Sequence, residues 1–145
     1  NSPLYQSKGE LERMVTSDEY LFIGAYSGSQ LVGYCAGAPI ADFAGKHPII
    51  GSTFPLDFSL ANAIYVESFE LLPEFQHNGH GGKIFRQFIA EAKAQNFLLI
   101  AGHAREGSSY KLVSSILRKG IFVDSPVQNY SGTGETYHYI LARLP

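Results

Sequence analysis

Residues 76–83 read Gln-His-Asn-Gly-His-Gly-Gly-Lys, a polar, glycine-rich run that follows Pro73 and leads into apolar residues at helical spacing. Such a junction suits an anion. The first four N–H groups of a helix have no intrahelical acceptor, and the helix dipole adds partial positive charge there. Glycine lets these peptide groups approach an oxygen closely, whereas a Cβ at Gly79 or Gly81 would crowd the turn or the ligand. Phosphate is the expected ligand, held mainly by peptide amides.

Three kinds of phosphate-binding turn fit this outline, and spacing separates them. A P-loop needs a glycine five residues before its Gly-Lys pair. Here that residue is His77, and Lys83 is followed by Ile84 instead of Ser or Thr. A dinucleotide fingerprint starting at Gly79 and Gly81 would carry Ile84 at its third small position, and no acidic residue near Ile100–Gly102 could hold a ribose. The third form is met: Gln76-His77-Asn78-Gly79-His80-Gly81 reads Gln/Arg-x-x-Gly-x-Gly/Ala. With Leu71-Leu72-Pro73-Glu74-Phe75 ahead of it, the run resembles the loop of the GNAT superfamily of acyl-CoA-dependent N-acetyltransferases. The order of predicted elements around it resembles that family over most of the chain.

The resemblance implies a mixed α/β (α+β) GNAT-like acyl-CoA N-acyltransferase fold, with acetyl-CoA as co-substrate and an amine as acceptor. It also implies that the strand over Glu67–Leu72 splays from its neighbour over Phe97–Gly102 and admits the pantetheine arm. Backbone groups of Phe69, Leu71 and Leu72 would hold that arm, with an N–H near Leu71 polarising the thioester carbonyl. Gln76, His77, Asn78, Gly79, His80, Gly81, Gly82 and Lys83 would take the pyrophosphate, and Ser109 joins them as a cofactor-binding residue.

An alkylamine with a pKa of about 10.4 is protonated at neutral pH, so direct attack in a ternary complex calls for a base or a water chain. Glu67 is the first candidate, because family members carry carboxylates at the matching position and strand alternation puts it on the face of Tyr65, Phe69 and Leu71. Glu70 is the second, on the opposite face unless a bulge spoils the count. His103 is a third, although it and His138 read more simply as hydrogen-bonded structural residues. Many relatives protonate the thiolate from a tyrosine in the last helix, but the matching position here is about Ile116. Tyr110 is taken as the substitute, with Tyr130 and Tyr137 behind it. The missing tyrosine supports an alternative, a non-catalytic acyl-CoA-binding regulatory module.

These groups need elements to position them. Lys8–Thr16 reads as a short amphipathic helix with Leu11, Met14 and Val15 on one face. Tyr20–Tyr26 and Gln30–Ile40 form a hairpin around Ser27, Gly28 and Ser29. Ala41–Ala61, with two glycines, two prolines, Phe43, Phe54 and Phe58, reads as a long ordered loop able to roof a site. A strand over Ala63–Leu72, a helix buried through Ile84, Phe85, Phe88, Ile89 and Ala92, and a parallel buried strand over Phe97–Gly102 follow. Ser108 or Ser109 caps a second helix that ends at Arg118-Lys119-Gly120, and strands over Ile121–Asp124 and Glu135–Arg143 close the chain.

The chain has 145 residues, 45% hydrophobic and 17% charged, the size and composition of one globular domain over 1–145. The family's fold normally opens with a further strand and helix ahead of Asn1, so the resemblance implies a truncated start and a bare sheet edge that favours a homodimer. A net charge of −2 with no basic block argues against nucleic acid as a partner. No apolar run approaches the roughly 20 residues of a membrane span. One cysteine, Cys35, excludes an internal disulfide and fits the reducing cytoplasm. His77 and His80 lack a third ligand for a metal.

Overall fold

A computed structural model of the chain describes residues 8–43 and 62–145. Most of the predicted loop, with Phe54 and Phe58, lies outside the described residues. Helix α1 (Lys8–Thr16) buries Met14 and half-buries Leu11, while Val15, assigned to the same face, is 53% exposed. Strands β1 (Leu21–Ser27) and β2 (Gln30–Pro39) pair antiparallel around Gly28, whose φ of +61° supplies the left-handed conformation a two-residue turn needs. A 3₁₀ turn at Ile40–Phe43 then tucks Ile40 and Phe43 against the sheet.

β3 (Ala63–Leu71) pairs antiparallel with β2 and parallel with β4 (Leu99–Arg105). Parallel neighbours need a crossover, and helix α2 (His80–Ala94) supplies it. Its buried stripe of Ile84, Phe85, Phe88, Ile89 and Ala92 is the predicted one, and each phenylalanine removed from water contributes about 1.5–3 kcal/mol. Gly37 lets α2 lie close to the sheet: a Cβ there would fall 2.4 Å from the Tyr65 carbonyl oxygen and 3.1 Å from the Phe88 ring.

β4 starts two residues later than expected and runs further. Asn96, at φ +69°, and the Phe97 N–H, bonded to Ala92 O, belong to the end of α2, so the apolar Phe97 and Leu98 precede the ladder. Helix α3 (Ser109–Leu117) is capped by Ser108 and ends before Arg118–Gly120, which form a 3₁₀ turn. Gly120 is needed there because a Cβ would lie 2.6 Å from Arg143 O. β5 (Ile121–Val127) and β6 (Tyr137–Arg143) complete a six-stranded sheet in the order β1-β2-β3-β4-β6-β5. Helices α2 and α3 pack on one face over Ile64, Ile100 and Ile140; α1 and the Ile40–Phe43 turn pack on the other, over Tyr34, Ala36, Tyr65 and Tyr139. Among the described residues no helix is long and apolar enough to cross a membrane.

Candidate active site

β3 and β4 pair only through Ala63–Leu99, Ile64–Ile100, Tyr65–Ala101 and Val66–Gly102, although β3 runs on to Leu71 and β4 to Arg105. A bulge accompanies the parting. On β2, Ala36 opposes Ser68 and Gly37 opposes Val66, which leaves Glu67 as the extra residue of β3. Such a residue bends its strand, and β4 meanwhile keeps its ladder to β6 as far as Arg105–Tyr137. Between the strands lies a small cavity of about 40 Å³, with Val66, Phe69, Ala101, Gly102 and His103 along its walls and Phe85 and Val113 over it. Phe69 stacks on Phe85 at 5.7 Å.

Backbone direction follows from the same ladder. The Leu72 N–H donates to Val32 O at 2.9 Å, so the preceding N–H, that of Leu71, points the other way, into the gap left by β4. Both backbone groups of Leu72 are engaged within the fold, since its carbonyl accepts from the Phe75 N–H at 2.9 Å. Gln76 turns back to the strand, its Nε2 donating to Leu71 O at 2.8 Å. It thereby fixes the loop to the strand end. Gly79 caps α2 at φ +82°, and the first helical bond runs from the Lys83 N–H to Gly79 O. The amides of His80, Gly81 and Gly82 therefore precede any intrahelical acceptor, in a turn that is exposed at His80, half-buried at Gly81 and buried at Gly82, with the Arg86 guanidinium 2.9 Å from where a Cβ of Gly82 would stand. Bare amides with Lys83 and Arg86 beside them fit a diphosphate.

The bulge changes which side chains share a face. Beyond it Phe69 and Leu71 stay with α2, as Val66 does, while Ser68 and Glu70 lie opposite Ala36 and Tyr34 on the α1 face. Glu67 faces that side too: it accepts from the Tyr20 hydroxyl, and Arg13 lies 3.6 Å from its second oxygen. The expectation that Glu67 shares a face with Phe69 and Leu71 is corrected here, because the extra residue breaks period-2 alternation. Glu67 and Glu70 stand on the same side. Burial pushes the Tyr20 phenol above the ordinary tyrosine range, and the Glu67 carboxylate it donates to adds to this.

On the same face the Tyr65 hydroxyl lies 2.6 Å from His103 Nδ1, and the imidazole stacks on Tyr130 at 4.5 Å. Burial holds the Tyr65 hydroxyl protonated, well above the ordinary range, and Tyr130 beside it acts in the same sense.

The profile of the Acetyltransferase (GNAT) family matches residues 2–108. The chain belongs to this family. Solved structures share the fold at low identity. The ribosomal-protein-S18-alanine N-acetyltransferase of Escherichia coli is 12% identical, with 97% of this chain and 79% of that one covered at a TM-score of 0.65. YncA of Salmonella typhimurium, solved with its cofactor acetyl-CoA, is 16% identical over 94% and 70% at 0.63. The PaiA N-acetyltransferase of Thermoplasma acidophilum, in complex with coenzyme A, is 16% identical over 93% and 67% at 0.58. No curated protein matches the sequence.

In this acetyltransferase-family fold the glycine-rich turn at 76–83 and the cavity adjoin through β3, but Glu67, Glu70 and Tyr110 are not among the residues lining that cavity. Ser109 does line it, and its Oγ accepts from the Arg105 N–H at 3.2 Å. Tyr110 faces away from β3: its hydroxyl donates to Asp124 and its ring stacks on His138 at 3.8 Å. That donation raises the Tyr110 pKa. His138 lies between Asp124 Oδ1 at 2.8 Å and Glu106 Oε1 at 3.1 Å. Burial pulls its pKa down, but the two carboxylates outweigh that and leave it raised. Sequence reasoning underrated Tyr65, whose partnership with His103 depends on the parallel register, and missed Tyr20 and Arg13 as partners of Glu67.

Proposed function

We propose that this protein is an N-acetyltransferase that transfers acetyl from acetyl-CoA to a primary amine of a small molecule or peptide, by direct attack in a ternary complex. The observation that carries this reading is the parting of β3 from β4 after Val66 and Gly102, which opens a cavity beside the bare amides of the α2 turn. An extended thioester arm can lie in that gap with its diphosphate on the amides of residues 77–82 and its carbonyl oxygen at the Leu71 N–H. A fixed backbone dipole at a developing oxyanion is a strong contributor to acyl transfer.

The acceptor approaches from the α1 face, where Glu67 and Glu70 offer carboxylates to a cationic amine. The structural neighbours named for N-acetylation of a ribosomal protein and for PaiA N-acetylation support nitrogen as the nucleophile. Calorimetry with acetyl-CoA, followed by thiol release against a panel of primary amines, tests the reading. Binding together with amine-dependent release is the expected result. Binding without release from any amine would leave the regulatory acyl-CoA-binding module as the better account.

A further inference from the structure

Among the described residues that line the cavity between β3 and β4, His103 is the only titratable one, and its imidazole lies on the α1 face with Tyr65 and Tyr139; the other polar lining residue is Ser109. Its Nδ1 lies 2.6 Å from the Tyr65 hydroxyl. The imidazole is sandwiched by Tyr130 at 4.5 Å and Tyr139 at 5.1 Å. The cluster thus connects the cavity to the α1 face of the sheet, where the amine is proposed to enter.

We propose that His103 is a catalytic residue that takes the proton shed by the acceptor amine, with Tyr65 as a positioning residue that holds its Nδ1. This rests on the N-acetyltransferase reading. The nitrogen lone pair forms the N–C bond, the C–S bond breaks with its electron pair left on sulfur, and one proton leaves the nitrogen. That proton passes to the imidazole and from the imidazolium to the departing thiolate through water, so the step balances without a further reactant. Histidine suits the task because its ordinary pKa of about 6.5 lies near neutrality. The Tyr65 hydroxyl, held protonated by burial, fixes the imidazole through its contact with Nδ1. Among the described residues, Tyr65 from β3, Tyr130 from the turn at Tyr130–Gly132 and Tyr139 from β6 face the imidazole, and the Glu67 carboxylate acts on Tyr65.

The test measures acetyl-CoA affinity by calorimetry and the pH profile of kcat for an amine that the wild type acetylates, in wild type, His103→Gln and Tyr65→Phe. His103→Gln is expected to lose about 10²- to 10⁴-fold in kcat and the acid limb of the profile, with acetyl-CoA affinity within about threefold. Tyr65→Phe is expected to keep acetyl-CoA affinity, lose about tenfold in kcat and move the midpoint of that limb, which a purely structural hydroxyl would not do. A folded His103→Gln with wild-type kcat and profile overturns the proposal. Should that variant fail to fold, a Tyr65→Phe profile superimposable on wild type overturns it instead. A wild type that binds acetyl-CoA and acetylates no amine removes the N-acetyltransferase reading, and the role of His103 with it.

Discussion

The Tyr20 hydroxyl donates to one oxygen of Glu67 while Arg13 stands 3.6 Å from the other and 3.0 Å from that hydroxyl, so the carboxylate is oriented by two donors from the α1 side. A carboxylate held in this way serves an incoming ammonium as a fixed anchor better than it serves as a proton acceptor. Glu67→Gln is therefore expected to raise KM for a cationic amine about tenfold, a loss of about 1.4 kcal/mol, with kcat within about threefold. Steady-state kinetics at saturating acetyl-CoA gives the answer. A collapse of kcat at unchanged KM would return Glu67 to the role of base.

Gly79 holds the turn into α2 at φ +82°, where a Cβ would meet nothing within 4 Å. Space is available, but the conformation disfavours any other residue by roughly 1–2 kcal/mol. In Gly79→Ala the turn is expected to relax toward negative φ and pull the amides of His80 and Gly81 out of line. Acetyl-CoA affinity is then expected to fall by about tenfold or more, while stability to urea falls by only about 1 kcal/mol. Unaltered affinity in a variant of lowered stability would show that the amides do not hold the phosphates.

Much of this arrangement was legible because its signals are local. Ser27-Gly28-Ser29 between two aromatic runs, Met14 on a helical face, and the stripe from Ile84 to Ala92 each depend on neighbours within a few residues. The start of β4 was misplaced for the same reason, since Phe97 and Leu98 look like strand residues but lie between the end of α2 and the ladder. The bulge had no marker: Glu67 is neither glycine nor proline, and only the pairing of Ala36 with Ser68 and Gly37 with Val66 shows it. Tyr65 and His103 meet because Tyr65 lies opposite Ala101 and His103 is two residues further along the same face. That proximity is a property of register between distant segments, which no local pattern encodes.

His138 bridges Asp124 and Glu106 beneath the ring of Tyr110, so it connects β5, β6 and the turn before α3. Its folded pKa is raised above the unfolded value of about 6.5, because the two carboxylates outweigh the opposing effect of burial. A raised pKa means that the native state holds the proton more tightly. The stabilisation is complete below about pH 6.5 and fades as pH climbs through the folded value. The melting-temperature gap between wild type and His138→Gln is therefore expected to be widest near pH 6 and to narrow by about pH 9. A gap that stays constant across that range would mean that packing on Tyr110, and not charge, is what His138 contributes.

Gly102 is the last β4 residue paired with β3, and a Cβ there would lie 3.4 Å from the Val66 Cβ, an ordinary contact. The position tolerates a side chain in the fold but borders the cavity, so substitution separates folding from binding. Gly102→Val places a β-branched residue in a strand, which suits its backbone, and directs methyl groups into the space between the strands. Its melting temperature is expected to stay within a few degrees of wild type while acetyl-CoA affinity falls by about tenfold or more, and Gly102→Ala should lie between the two. Calorimetry with desulfo-CoA and with acetyl-CoA sharpens the comparison, because both carry the diphosphate and only the second carries an acyl group. If Gly102→Val weakens acetyl-CoA more than desulfo-CoA, the acyl end lies at Gly102. Equal affinity of wild type and variant for both ligands would place the arm outside this cavity and remove the geometric basis for acyl transfer here.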